Sequence, residues 1–218
     1  MVCSCSSLCS TTARHFGHKR ARKELAAYQR AGPGTTTRRL LHGLLMVKAQ
    51  PTTVLDIGSG IGTLTVELLK AGAATATCVD MSAASQAVGA EAARQQGLAD
   101  RIRWVEADFV TIAASLPPAD VVALDRVICC YPTYRSLLQE AAAHSRHFLA
   151  LSYPRDRWFV RLALWGENAW HRLRGDPFRA FVHPIPPMLR MLEGAGFSRV
   201  HQESTSAWEA AIYARAAV

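Results

Sequence analysis

Apolar positions along the chain fall into two periods. Thr53, Val54 and Leu55, and then residues 74–79, are short apolar or β-branched runs without turn residues, the pattern of buried strands. Between them Leu64, Val66, Leu68 and Leu69 open a helix. Alternation predicts a third strand over 102–105, and apolar runs predict a fourth over 120–124 and a fifth over 147–152. Two closing strands are expected over 199–203 and 208–214. Helical spacing places Leu25 and Tyr28 on one face of a basic helix over 16–29, broken by Gly32-Pro33-Gly34. A second helix is expected over 38–48, N-capped among Thr35–Thr37, with Leu40, Leu41, Leu44 and Leu45 inward. Ser82 should cap a helix over 83–96 that Gly97 ends, and further helices are expected over 134–144 and 187–195. These elements predict an α/β fold, a three-layer α/β/α sandwich around a mostly parallel seven-stranded sheet.

Composition narrows the class. The 218 residues suffice for one domain with a full core, half are apolar, and 19% are charged, so the chain is globular rather than disordered. The net charge of +8 favours acidic partners, but no basic run is long enough to indicate nucleic acid. Six cysteines include Cys3, Cys5 and Cys9 near the start and the adjacent pair Cys129–Cys130. Neighbouring cysteines rarely bridge each other, so reduced thiols and a cytoplasmic location are expected. The first three cysteines lack zinc C-x-x-C spacing, and residues 1–12 read as a loose tail with no metal. The first twenty residues hold no apolar signal core, and no stretch reaches the length of a membrane span.

The chemistry begins at the end of the first strand. Asp56 is followed by Gly58, Gly60 and Gly62, then by a helix and a second strand ending in Asp80. This is half of a nucleotide-binding unit. The dinucleotide fingerprint would need a glycine at position 63, where Thr63 stands. Asp56 would repel a pyrophosphate and favours a cationic ligand. Asp80 lies roughly twenty residues beyond the loop, where a carboxylate meets ribose hydroxyls. With this D-x-G-x-G-x-G motif the sequence resembles the class I S-adenosylmethionine-dependent methyltransferases. The segment DRVICCYP, Asp125–Pro132, is loosely similar to the branch near the magnesium-protoporphyrin methyltransferases.

The resemblance implies S-adenosylmethionine as cofactor and a last strand inserted antiparallel. It implies cofactor contacts at Asp56, Gly58, Ser59, Gly60, Gly62, Asp80, Met81 and Asp125. It also sets Asp108 against the adenine amino group and Phe109 beside the ring. It further implies a helical cap over residues 1–50 and a Rossmann-like domain over 51–218 with an insertion over 154–184. Tyr131 and His183 are the candidate proton acceptors. Tyr28, Cys129, Cys130, Tyr153, Arg157, Arg161 and Trp165 are the candidate acceptor contacts. Arginines and tryptophans interleave through the insertion. Such a helix can roof a pocket for a flat or anionic small-molecule acceptor, pack on its own sheet, or make peripheral contact with an anionic membrane. A thiol-dependent metalloid methyltransferase and a cofactor-binding protein without turnover remain open as alternatives. A nicotinamide oxidoreductase is disfavoured by the glycine spacing.

Overall fold

The computed structural model describes Thr12 and residues 14–216. The cysteines at positions 3, 5 and 9 lie outside the described residues. Seven strands form one sheet: β1 Thr53–Ile57, β2 Thr75–Asp80, β3 Ile102–Glu106, β4 Ala119–Leu124, β5 Ser145–Pro154, β6 Phe197–Ser204 and β7 Trp208–Arg215. Their spatial order is β3-β2-β1-β4-β5-β7-β6. The first five pair in parallel, whereas β7 runs antiparallel to both β5 and β6. The order reverses between β1 and β4, so the loops leaving those strands diverge and open a crevice at their carboxyl ends.

The helices are α1 His18–Ala31, α2 Thr35–Met46, α3 Thr63–Lys70, α4 Ala83–Gln95, the single turn α5 Phe109–Ile112, α6 Tyr134–His144, α7 Trp158–Leu173 and α8 Ile185–Gly194. Successive strand residues point to opposite faces, so the sheet buries two apolar layers. Leu55, Ile57, Val122, Leu124, Leu149 and Leu151 face the layer of α6 and α8, with Leu137, Leu138, Met188 and Leu192. Val54, Ala76, Cys78, Val121, Ala123 and Ile212 face the layer of α2, α3 and α4, with Leu40, Leu44, Leu64 and Leu68. The same alternation puts Asp56 in the second layer, at the loop end of β1.

Three expected details differ. Gly34, not a threonine, is the N-cap of α2. Thr36 and Thr37 are buried in its first turn, and the Thr37 hydroxyl serves the site below. Leu45 is 73% exposed rather than inward, because five residues of helix carry it about 140° from Leu40. The fifth strand is longer than its apolar core, since β7 pairs with it as far as Pro154.

Candidate active site

The glycine loop joins β1 to α3. Gly58, Gly60 and Gly62 all have left-handed backbones, with φ of 64°, 56° and 75°. At Gly58 a Cβ would lie 2.4 Å from a Val127 methyl, so the absent side chain lets the loops after β1 and β4 touch. At Gly60 a Cβ would meet nothing within 4 Å. That side of the loop is open space for a ligand and also needs a conformation that L side chains rarely adopt. Gly62 packs against Trp104 and starts α3.

Three carboxylates converge on one cavity of about 550 Å³. Asp80 ends β2, accepts the Gly60 N–H at 2.8 Å and the Ser82 N–H at 2.7 Å, and so holds the loop in place. Asp56 is buried and accepts the Thr65 hydroxyl at 2.8 Å. Asp125, just past β4, accepts the hydroxyls of Thr37 and Ser152, each at 2.5 Å. No cation answers this group among its described contacts. Burial, opposed by the Thr65 hydrogen bond and reinforced by the fields of Asp125 and Asp80, pushes the Asp56 carboxyl up to about 7. Burial also raises Asp80, against its two backbone hydrogen bonds. A cation beside these carboxylates would favour their charged forms and lower both.

The rest of the cavity lining comes from distant segments. Glu24 and Tyr28 reach it from α1, Arg38 from α2, and Leu164 and Glu167 from α7. Arg126, with φ of 61°, turns the chain after β4 and lies 3.6 Å from Glu24. Cys129 and Cys130 follow, their sulfurs 3.5 Å apart. Hydrogen bonding from Cys129 pulls the Cys130 thiol down and pushes that of Cys129 up, so Cys130 ionises first. A polar clasp ties down part of this lining. His171 bonds Asp176 at 2.8 Å, and His15, stacked on Phe178, contacts the same carboxylate at 3.4 Å. The N-terminal segment is thereby pinned to the loop after α7.

The expected site residues divide. Asp56, Gly58, Ser59, Gly60, Asp80, Met81, Asp125, Tyr28, Cys129, Cys130 and Tyr131 line the cavity. Gly62 supports the loop from behind. Asp108 and Phe109 do not line it. Asp108 instead accepts the Tyr131 hydroxyl at 2.9 and 3.0 Å, and Phe109 is buried against His144. Tyr131 therefore presents its ring rather than a free hydroxyl. The remaining expectations need correction. Tyr153 is buried under the sheet's closing strands, bonded to Glu209 and Tyr213. His183 bonds the Tyr131 carbonyl at 3.0 Å and packs on Phe181 and Tyr134, outside the cavity. Arg161 pairs with Asp156, Trp165 points to solvent, and Arg157 is exposed before the first turn of α7. The lining residues that patterning alone missed include Arg20, Glu24, Arg38, Arg126, Glu167 and Trp208.

Comparison with known proteins agrees with this geometry. Residues 54–147 match the methyltransferase domain family. No curated protein matches the chain in sequence. The fold is similar to magnesium protoporphyrin IX methyltransferase from Synechocystis PCC 6803 with bound SAH, at a TM-score of 0.73 and 18% identity over 95% of this chain and 99% of that one. It is also similar to an O-methyltransferase family 2 protein from Planctomyces limnophilus DSM 3776 in complex with apigenin, at 0.66 and 18% over 91% and 62%. The [4+2]-cyclase SpnF aligns at 0.60 and 15% over 82% and 81%. With its glycine loop, acidic strand ends and antiparallel β7, the chain has the methyltransferase fold, and its residues 54–147 match the methyltransferase domain family.

Proposed function

We propose that the chain binds S-adenosylmethionine and transfers its methyl group to a small anionic organic acceptor. One observation carries the cofactor half: Asp56, Asp80 and Asp125 converge on the cavity beside an open left-handed Gly60. When bound, the cofactor supplies an electrophilic methyl on a sulfonium. Asp80, oriented by two backbone N–H groups, keeps lone pairs for ribose hydroxyls. Met81 offers an apolar surface to the adenine. Asp56 and Asp125 favour the cofactor's positive charge. The protein's contribution is to hold the reactants in line and exclude water.

The acceptor half rests on charge. Arg20, Arg38 and Arg126 line the same cavity, with Phe178 and Trp208 as flat surface. Arginine recognises a carboxylate through its planar fork. A carboxylate acceptor is nucleophilic as it stands and needs no general base. That suits a cavity in which the Tyr131 hydroxyl is engaged by Asp108. The residues before β1, through Glu24, Tyr28 and Arg38, act as the cap of the cavity.

Calorimetry tests the cofactor: S-adenosylhomocysteine should bind and NAD should not. Turnover with methyl-labelled cofactor over a panel of small carboxylates and phenols tests the acceptor. Arg126→Ala or Arg38→Ala should reduce methyl transfer while S-adenosylhomocysteine affinity holds. Cofactor binding without transfer to any acceptor would leave a binding protein on a fold that SpnF shows is compatible with another reaction. A second reading comes from the Cys129–Cys130 pair, whose sulfurs are close enough to hold a soft trivalent metalloid. Arsenite in the same assay, with Cys130→Ser as control, separates it.

A further inference from the structure

Nine large apolar side chains are exposed among the described residues, and six stand on α7. Trp158, Leu162, Trp165 and Leu173 are 76%, 57%, 69% and 83% exposed and recur at helical spacing, so they form one outward stripe. Phe159 and Trp170 widen it on one side. The opposite face does what a packed helix does: Val160 is buried, and Leu164 and Glu167 line the cavity. The usual order of an amphipathic surface helix is thus inverted, with the larger apolar face toward solvent. Contiguous patches of this kind mark interaction sites.

The borders of the stripe identify the occupant. Arg161 and Arg172 flank it on one side, Arg157 precedes it, and Arg174 closes it while stacking on Trp170 at 4.2 Å. The acidic residues nearby are Asp156, paired with Arg161, Asp176, paired with His171 and His15, and Glu167, on the cavity face. A second copy packed antiparallel on this stripe would bring the arginines at one end of α7 against those at the other. An anionic lipid surface has the complementary charge, and tryptophan favours the bilayer interface. The protein as a whole carries +8. No helix among the described residues is long and apolar enough to cross a membrane, so contact would be made from one side.

We propose that the outward face of α7 docks on the surface of an anionic bilayer, with its tryptophans and leucines in the interface and its arginines on the headgroups. The helix whose inner face lines the cavity would then rest on lipid, so methyl transfer would take place at the membrane surface. That last consequence rests on the methyl-transfer reading; the docking does not.

Co-sedimentation of the full chain tests it, with vesicles of phosphatidylcholine alone and of phosphatidylcholine with phosphatidylglycerol. The protein should sediment with the anionic vesicles, less so as salt rises, with a blue shift of tryptophan emission. Leu162→Ser with Trp165→Ser should raise the lipid needed for half-binding by about tenfold or more. Arg157→Glu with Arg172→Glu should abolish the preference for anionic lipid. All four side chains are exposed, so melting curves should match wild type. Absence of vesicle binding, equal binding to both vesicles, or unchanged binding by the Leu162/Trp165 variant would each overturn the proposal. So would a dimer in sedimentation velocity that this variant dissociates, which would assign the face to a second copy. Calorimetry with S-adenosylhomocysteine on the same samples reports separately on the cofactor, so the two readings fail independently.

Discussion

Asp56→Asn is the most informative single change. In the unfolded chain the carboxyl titrates at 3.8, and in the fold it is held at about 7, first by burial and then by the neighbouring Asp125 and Asp80, against the Thr65 hydrogen bond. Between these values the folded protein keeps a proton that the unfolded chain has released. Stability must therefore fall as pH rises from about 4 to about 7 and stay lowered above it. A difference of about three pH units corresponds to about 4 kcal/mol at most. Asparagine keeps an oxygen for the Thr65 hydroxyl and removes the charge. The cofactor-free variant should thus be more stable than wild type at pH 8 by up to about 4 kcal/mol, a rise of about 8–16 °C in melting temperature at about 2–4 °C per kcal/mol. Below about pH 4 the two should converge.

The ligand reverses the order. A cation in the cavity turns the ionised Asp56 from a liability into a partner. Wild-type affinity for S-adenosylmethionine should tighten as pH rises through about 7, while that of the variant should change far less. Melting scans from pH 5 to 8.5, with and without cofactor, read both effects, and subtracting the variant's curve removes groups that titrate in both proteins. Parallel stability curves, or equal cofactor affinity at pH 8, would refute the claim that Asp56 is a buried carboxylate awaiting a cation.

Three further outcomes are expected. Asp80→Asn should weaken S-adenosylhomocysteine binding by about 1.5–3 kcal/mol in calorimetry, the scale of hydrogen bonds to a charged group. Tyr131→Phe removes the hydroxyl donor from buried Asp108 and should cost about 1.5–3 kcal/mol in denaturant melts; turnover per folded molecule should persist, and its loss with cofactor binding intact would restore Tyr131 as a proton acceptor. Asp176→Ala releases His15 and His171 together, which should lower the melting temperature by about 2–4 °C and speed hydrogen exchange in residues 14–17.

The cofactor end of the cavity was legible in the sequence because it is local. Asp56, three glycines and Asp80 lie within one strand-loop-helix-strand unit, and each residue type states a backbone or charge requirement that survives without knowledge of the fold. Strand number followed from apolar runs for the same reason. The rest of the lining is different in kind. Glu24, Arg38, Arg126, Glu167 and Trp208 come from five separate segments, and what unites them is the point where the strand order reverses. An arginine at 126 reads as any surface arginine until its positive φ and its position after β4 are known. Tyr153 and Tyr131 show the complementary error. Tyr153 lies at the carboxyl end of β5 and Tyr131 follows β4, so each is well placed by topology, yet Glu209 and Asp108 engage their hydroxyls from elements distant in sequence. In α7 the spacing of tryptophans was plain, but spacing defines a stripe without saying which way it faces. Val160 and Leu164 settle that by turning inward, leaving Trp165, expected over the acceptor, on the solvent side. The cavity lining and the outer surface are therefore two faces of one helix, and substitutions at Leu164 and at Trp165, adjacent in sequence, should affect different properties: turnover for the first and vesicle binding for the second.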